Sequence, residues 1–362
     1  MKRFSAWLIL VMPLLLLGGC SSVGYYWQSV SGHMQMLGAA RPVADVLADP
    51  QASAALKARL ALSQGIRQFA ARELRLPNNA SYTRYADLRR NAVVWNVVAA
   101  PELSLTLKTW CFPVAGCVGY RGYFSEADAR LMGEQLKAEG LEVSVYGVPA
   151  YSTLGKLDWL GELGADPLLN TFITYPEGEL ARLIFHELAH QVVYAADDTT
   201  FNESFATAVE RLGGKRWLTT QASQSAREEY AAFDTRRQQF RALTAATRRE
   251  LTAIYRSDSS LASVNKAQFA SKNIAIDKFK SDYGELKKSW GNPPPRTSNY
   301  DALVAQANNA SFGAQAAYDE LVPGFEALFE RQGSDWQRFY DAVRQLAVLP
   351  KKDRHEALKI KN

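Results

Sequence analysis

A helix-rich α+β fold is the class this sequence predicts, and three patterns predict it. Apolar residues recur at helical spacing from Ser53 to Leu76 and again from Glu177 to Val192. Between them, Val-rich runs at Asn91 to Ala99 and Leu141 to Val148 read as strands of a small sheet. From Ala222 onward a strongly charged stretch carries only a sparse apolar stripe, the pattern of a long helical arm. The 362 residues are 47% hydrophobic, enough for one large core or two smaller ones. A net charge of +5, with no basic run interleaved with aromatics, argues against a nucleic-acid partner.

Lys2 and Arg3 precede an apolar run from Ala6 to Leu17, shorter than the roughly 20 residues of a membrane span. Small residues then lead to Cys20 in Leu17-Gly18-Gly19-Cys20. Residues 1–19 therefore read as a secretory signal. Its end resembles a bacterial lipobox, in which the cysteine becomes the lipidated first residue of the mature chain. By the same resemblance Ser21, rather than an Asp, favours the outer membrane. Cys20 is then the lipidation site, residues 20–29 a tether, and the expected address the bacterial envelope, facing the periplasm.

The helix over Ser53 to Leu76 is stopped by Pro77-Asn78-Asn79. Strands are expected at Asn91 to Ala99, Leu103 to Trp110, Val118 to Phe124 and Leu141 to Val148, with a helix from Glu126 to Glu139 capped by Ser125 and ended by Gly140. Cys111 and Cys117 flank a five-residue loop. In an oxidising compartment they read as a disulfide; a metal pair is the rival, but the spacing exceeds that of a zinc knuckle and no second pair exists. After the Asp166-Pro167 turn, Leu168 to Tyr175 reads as a strand leading into the second helix, by analogy a strand that pairs with an extended substrate.

The helix from Glu177 carries Phe185-His186-Glu187-Leu188-Ala189-His190-Gln191, an H-E-x-x-H motif. Residues four apart share a helix face, so His186 and His190 can present two imidazole nitrogens to one ion, with Glu187 beside them to act on a water. A catalytic zinc needs a third protein ligand. Asp197, Asp198, Glu203 and Glu210 are the nearby carboxylates. Glu203 is the best placed, twelve residues past His190 and just inside the next helix, which is expected to stop at Gly213-Gly214. Glu210 shares its face and can instead orient a histidine from behind. Tyr151, Tyr300 and Tyr318 are the candidates for stabilising an oxyanion. His33 is isolated and reads as surface or packing.

The remaining layout is a core at 30–221, a solvated helical arm at 222–289, a C-terminal helical section at 290–350 packing on the core, and a basic tail at 351–362. His186-Glu187-x-x-His190 followed by Asn202-Glu203-Ser204-Phe205-Ala206 resembles the gluzincin metallopeptidases. Together with Cys111-Phe-Pro-Val-Ala-Gly-Cys117, Tyr120-Arg-Gly-Tyr-Phe124, Ala150-Tyr-Ser-Thr-Leu-Gly155 and Asp166-Pro-Leu-Leu169, the chain is similar to the bacterial lipoprotein-type predicted aminopeptidases. That resemblance implies a zincin-like core, one Zn2+ held by His186, His190 and Glu203, Glu187 as catalytic base, and a peptide substrate. The alternative is a zinc-binding envelope lipoprotein with a scaffolding or chaperone-like role. No fourth His or Cys lies near enough to close the site, and an open coordination place argues for catalysis.

Overall fold

The computed structural model describes residues 23–112, 116–155, 164–256, 262–291, 298–316 and 320–359. The signal, Cys20 and Tyr318 lie outside them. Helix α1 spans residues 23–39, so it begins inside the stretch expected to be a tether. It leads through β1 (Ala40–Pro42) and α2 (Val43–Ala48) into α3 (Ala54–Glu73). Ser53 starts α3 by accepting the amide of Leu56, and Leu60, Ile66 and Phe69 form its buried face.

Two small sheets follow. In the first, β2 (Arg84–Ala86) lies between β1, antiparallel, and β8 (Leu168–Leu169), parallel. The strand expected over Leu168 to Tyr175 is therefore two residues long. The amides of Phe172 and Ile173 turn back to the Leu169 carbonyl, and that of Tyr175 to Phe172. Leu168 and Leu169 are buried against β2, so this segment offers no edge to an extended peptide.

The second sheet has β3 (Val94–Pro101) at its centre, flanked by β6 (Arg121–Tyr123) and β7 (Leu141–Val148), both antiparallel to it. Helix α4 (Glu126–Ala138), capped by Ser125, covers one face through Ala129 and Leu136 against Val97, Ala99 and Val143. The strand expected at Leu103 to Trp110 is absent. The amide of Ser104 bends back to Pro101, and pairing resumes only at β4 (Trp110–Phe112), which forms a ribbon with β5 (Gly116–Val118). Cys111 lies directly opposite Cys117 in that ribbon, and their sulfurs are at bonding distance.

The main core is helical. Helices α5 (Glu177–Val192) and α6 (Thr199–Thr220) pack on each other, with α3 against α5 and α11 (Val322–Arg331) against α6. Phe201, Phe205 and Phe325, joined by Phe339 and Tyr340 of α12 (Trp336–Ala347), are all fully buried. Each such side chain contributes about 1.5–3 kcal/mol on burial. Helix α6 does not stop at Gly213-Gly214 but runs through both. A Cβ on Gly213 would lie 2.6 Å from Leu74 and 3.0 Å from Phe185, and one on Gly214 2.8 Å from Arg182. These glycines permit close helix packing.

Helices α7 (Gln224–Tyr255) and α8 (Ala262–Ser289) form an antiparallel hairpin, with Phe240 near Tyr283 and Ile254 near Gln268. The hairpin is not the solvated arm expected. It shares a core of Phe240, Leu251, Phe279 and Tyr283 with Val304 of α9 (Ser298–Ala305) and Phe312 of α10 (Asn309–Ala316). Buried Lys272 joins it to the sheet, bonding the Glu102 carbonyl at 2.8 Å and the Glu142 carboxylate, which also accepts the amide of Asn309 at 2.7 Å. The basic tail is likewise structured. Residues Lys351–Ala357 form α13, and Arg354, His355 and Lys351 converge on fully buried Asp198. Among the described residues no helix is long and apolar enough to cross a membrane.

Candidate metal centre

The helix pair α5–α6 supplies the site. His186 and His190 are one turn apart on α5, with their Nε2 atoms 3.2 Å from each other. Glu203 on α6 brings Oε2 to 3.3 Å from His186 Nε2 and 3.8 Å from His190 Nε2. Ligands about 2.0–2.1 Å from a tetrahedral ion are roughly 3.3 Å apart. The three atoms therefore have the spacing of ligands to one small ion, and a two-histidine, one-carboxylate set can hold such an ion with a position left open.

The turn between the helices explains why Glu203 is chosen. Asn202 clamps it from both sides, its Oδ1 accepting the amide of Ala195 and its Nδ2 donating to the Ala195 carbonyl, each at 2.8 Å. Asp198 caps α6 by accepting the amide of Phe201 and holds α13. Asp197, in the left-handed region at φ 66°, accepts the amide of Cys117 at 2.6 Å. Gly116 is required there, since a Cβ would stand 2.5 Å from the Asp197 carboxylate. Both aspartates thus shape the loop and stitch the disulfide ribbon and α13 to it, leaving the metal position to Glu203.

Behind the site, Glu210 Oε2 lies 3.2 Å from His186 Nδ1, and its other oxygen contacts Arg182. Arg182 also reaches Glu179 at 3.8 Å and the Tyr230 hydroxyl at 3.2 Å, and Arg237 of α7 closes the chain on Glu179 at 2.8 Å and Asp234 at 2.7 Å. Burial works to raise the Glu210 carboxyl, but Arg182 and His186 outweigh it and hold the group well below its usual range.

The same balance differs among the other groups. Burial lowers His190 to about 4, so its imidazole is neutral and able to ligate. Burial opposes protonation of His186 as well, but its bonds to Glu203 and Glu210 dominate and raise it. For Glu203, burial is outweighed by the two histidines, and its carboxyl is lowered. Burial pushes Glu187 up to about 7, with Glu203 adding to the rise and His186 opposing it. A carboxyl near 7 is suited to take and return a proton at neutral pH.

These residues line a cleft of about 660 Å³. Its remaining walls are Tyr25, Tyr26 and Ser29 of α1, the sheet through Val94, Asn96 and Val148, and Arg237 and Arg241 of α7. The loop at 150–155 is fixed by Asp166, whose carboxylate accepts the Thr153 amide at 3.0 Å.

Of the tyrosines expected to face an oxyanion, Tyr151 lines this cleft, but beside Phe124 and His33. Tyr300 does not reach it; its ring stacks on Phe240 at 4.2 Å in the hairpin core. Tyr318 lies outside the described residues. Tyr82, Tyr120, Tyr146 and Tyr194 feel the site's carboxylates, and of these Tyr120 and Tyr194 line the cleft. Burial raises the Tyr120 hydroxyl well above 10, and Glu203 and Glu187 raise it further, so it keeps its proton. The break in pairing between β5 and β6 puts Tyr120 there. Its place in the Tyr120-Arg-Gly-Tyr-Phe124 segment was the available signal.

A family model described as "Putative aminopeptidase" matches residues 24–358. No curated protein and no solved structure matches the chain.

Proposed function

The chain belongs to this aminopeptidase family, and we propose that it is a zinc-dependent peptidase of the gluzincin type, carried as a lipoprotein on the bacterial envelope. The observation that carries the reading is the His186–His190–Glu203 group at ligand spacing, with Glu187 beside it on a cleft.

Zinc bound there would polarise the scissile carbonyl and acidify the attacking water. Glu187 takes the proton from that water and returns it to the departing amine. Tyr120, held protonated, donates a hydrogen bond to the carbonyl oxygen as negative charge develops on it, in place of Tyr151 or Tyr300. Glu210 fixes the imidazole of His186, and Arg182 keeps Glu210 ionised in turn. Cleavage next to a free N-terminus follows from the family membership alone. Glu179, a cleft-lining carboxylate, is occupied by Arg237, and Glu177 accepts the Trp217 indole, so neither is assigned to a substrate amine.

The envelope address rests on the signal at 1–19 and on Cys20, with Ser21 favouring the outer membrane. The test is the Glu187→Gln variant of the purified chain. It should retain one zinc and lose hydrolysis of unblocked peptides. Full activity in that variant would falsify the mechanism, whereas bound zinc with no turnover by wild type on any peptide would favour the scaffolding role.

A further inference from the structure

Five of the nine large hydrophobic side chains exposed among the described residues lie on helix α1: Val23, Tyr26, Trp27, Val30 and Met34. Val23, Trp27, Val30 and Met34 are each 59–73% exposed. At about 100° per residue they fall within roughly 60° of arc, with Tyr26 on its flank. The opposite face is fixed to the protein. Met36 enters the core, Gly32 lies so close to Phe124 that a Cβ there would meet its ring, Gln28 bonds the amide of Phe124 at 3.0 Å, and Tyr25 packs on Tyr123 and Phe112. The stripe therefore points away from the body and has no cover among the described residues.

We infer that α1 lies in the surface of the lipid bilayer, with this stripe inserted among the headgroups and upper acyl chains. The inference rests on the reading of Cys20 as the acylated anchor. Two residues separate Cys20 from Val23, so the span is three peptide steps, a reach of at most about 11 Å in extended chain. An acylated Cys20 thus holds the start of α1 against the lipid, and an apolar face at that distance is covered by the bilayer. Trp27 and Tyr26 are of the types that settle at the headgroup level. The helix carries no Lys or Arg, so insertion uses apolar area and does not require anionic lipid. Tyr25, Tyr26 and Ser29 of the same helix line the cleft, so docking sets the cleft rim beside the headgroup layer.

The experiment uses the acylated full-length protein in phosphatidylcholine vesicles. With Cys20 acylated and Cys111 joined to Cys117, a Met34→Cys thiol is the single free one, and it takes an environment-sensitive fluorophore. A Glu285→Cys label on α8, where the native side chain is 71% exposed, is the reference. The Met34 label should be quenched by spin-labelled lipid and be roughly fivefold less accessible to aqueous iodide than the reference. A combined Trp27→Ser and Val30→Ser change should restore access while the protein still floats with the vesicles. Equal access at both labels in a protein that floats overturns docking and leaves the anchor reading standing. A protected label that depends on protein concentration and not on lipid assigns the face to a second copy. Failure to float at all overturns the anchor reading and this inference with it.

Discussion

Nδ1 of His186 faces a carboxylate oxygen of Glu210 at 3.2 Å, while Arg182 holds the other oxygen. The metal helix is thereby tied through Arg182, Glu179 and Arg237 to α7, a helix that also walls the cleft. A Glu210→Gln change keeps the shape but removes the charge that positions His186 and balances buried Arg182. Zinc affinity should fall about 10–100-fold. Stability should fall by about 1–3 kcal/mol, since buried Arg182 loses its nearest carboxylate and keeps only the more distant Glu179 at 3.8 Å and Asp234 at 3.7 Å. A competition titration with a chelator and a denaturant midpoint measure the two effects. Unchanged zinc affinity would remove Glu210 from the site.

Glu203 and Asp198 are five residues apart, yet they should separate cleanly. Glu203→Ala deletes a ligand and should cost more affinity than the roughly 100-fold ceiling of an outer partner. Asp198→Asn should leave zinc binding within a few-fold and lower stability by about 1–3 kcal/mol, because Arg354 and His355 of α13 lose their charged acceptor. Zinc content beside thermal unfolding distinguishes them. Loss of zinc in Asp198→Asn with Glu203 intact would mean the ligand was misassigned.

Tyr120→Phe removes one hydroxyl from a half-buried ring. If that hydroxyl meets the developing oxyanion, kcat should drop about 10²–10³-fold with little change in KM. Tyr151→Phe, beside Phe124 and His33, should alter KM more than kcat. Tyr300→Phe, stacked on Phe240, should leave both within twofold or so. A Tyr120→Phe enzyme at wild-type kcat would send the search to Tyr194 and Tyr146.

What could be read from the sequence was local. The stripe of α3, the cap at Ser125, the Val-rich strands β3 and β7 and the one-face pairing of His186 with His190 all follow from periods and caps that neighbours in sequence supply. Glu203 could be preferred but not separated from Asp198 on spacing, because the distinction is the Asn202 clamp on Ala195 and the docking of α13, both tertiary. The same limit explains the strand expected over Leu168 to Tyr175. Its apolar residues Leu168, Leu169, Phe172 and Ile173 are there because they are buried, and after Leu169 the burial is in a turn. Nothing local favours Tyr120 over Tyr300 as an oxyanion donor, and only packing puts Tyr300 in the hairpin core and Tyr120 beside Glu203.

Gly213 offers the last test, because two opposite readings of it predict opposite signs. As a helix stop it would be improved by nothing and replaced at little cost outside α6. As a mid-helix residue chosen for space, it gives up about 1 kcal/mol of helix propensity relative to Ala, so Gly213→Ala gains that term. The added methyl, however, would stand 2.6 Å from Leu74 and 3.0 Å from Phe185, both fully buried. Overpacking of this kind costs about 1–3 kcal/mol, which outweighs the propensity gain over most of its range. Phe185 precedes His186, so the strain falls on the metal helix. Gly213→Ala should therefore unfold at lower denaturant, and added zinc should recover part of the loss by binding the native state. Gly284, where a Cβ would meet nothing within 4 Å, is the control, and Gly284→Ala should stabilise α8. Stabilisation by both substitutions would show that α6 and its neighbours have room to spare at Gly213.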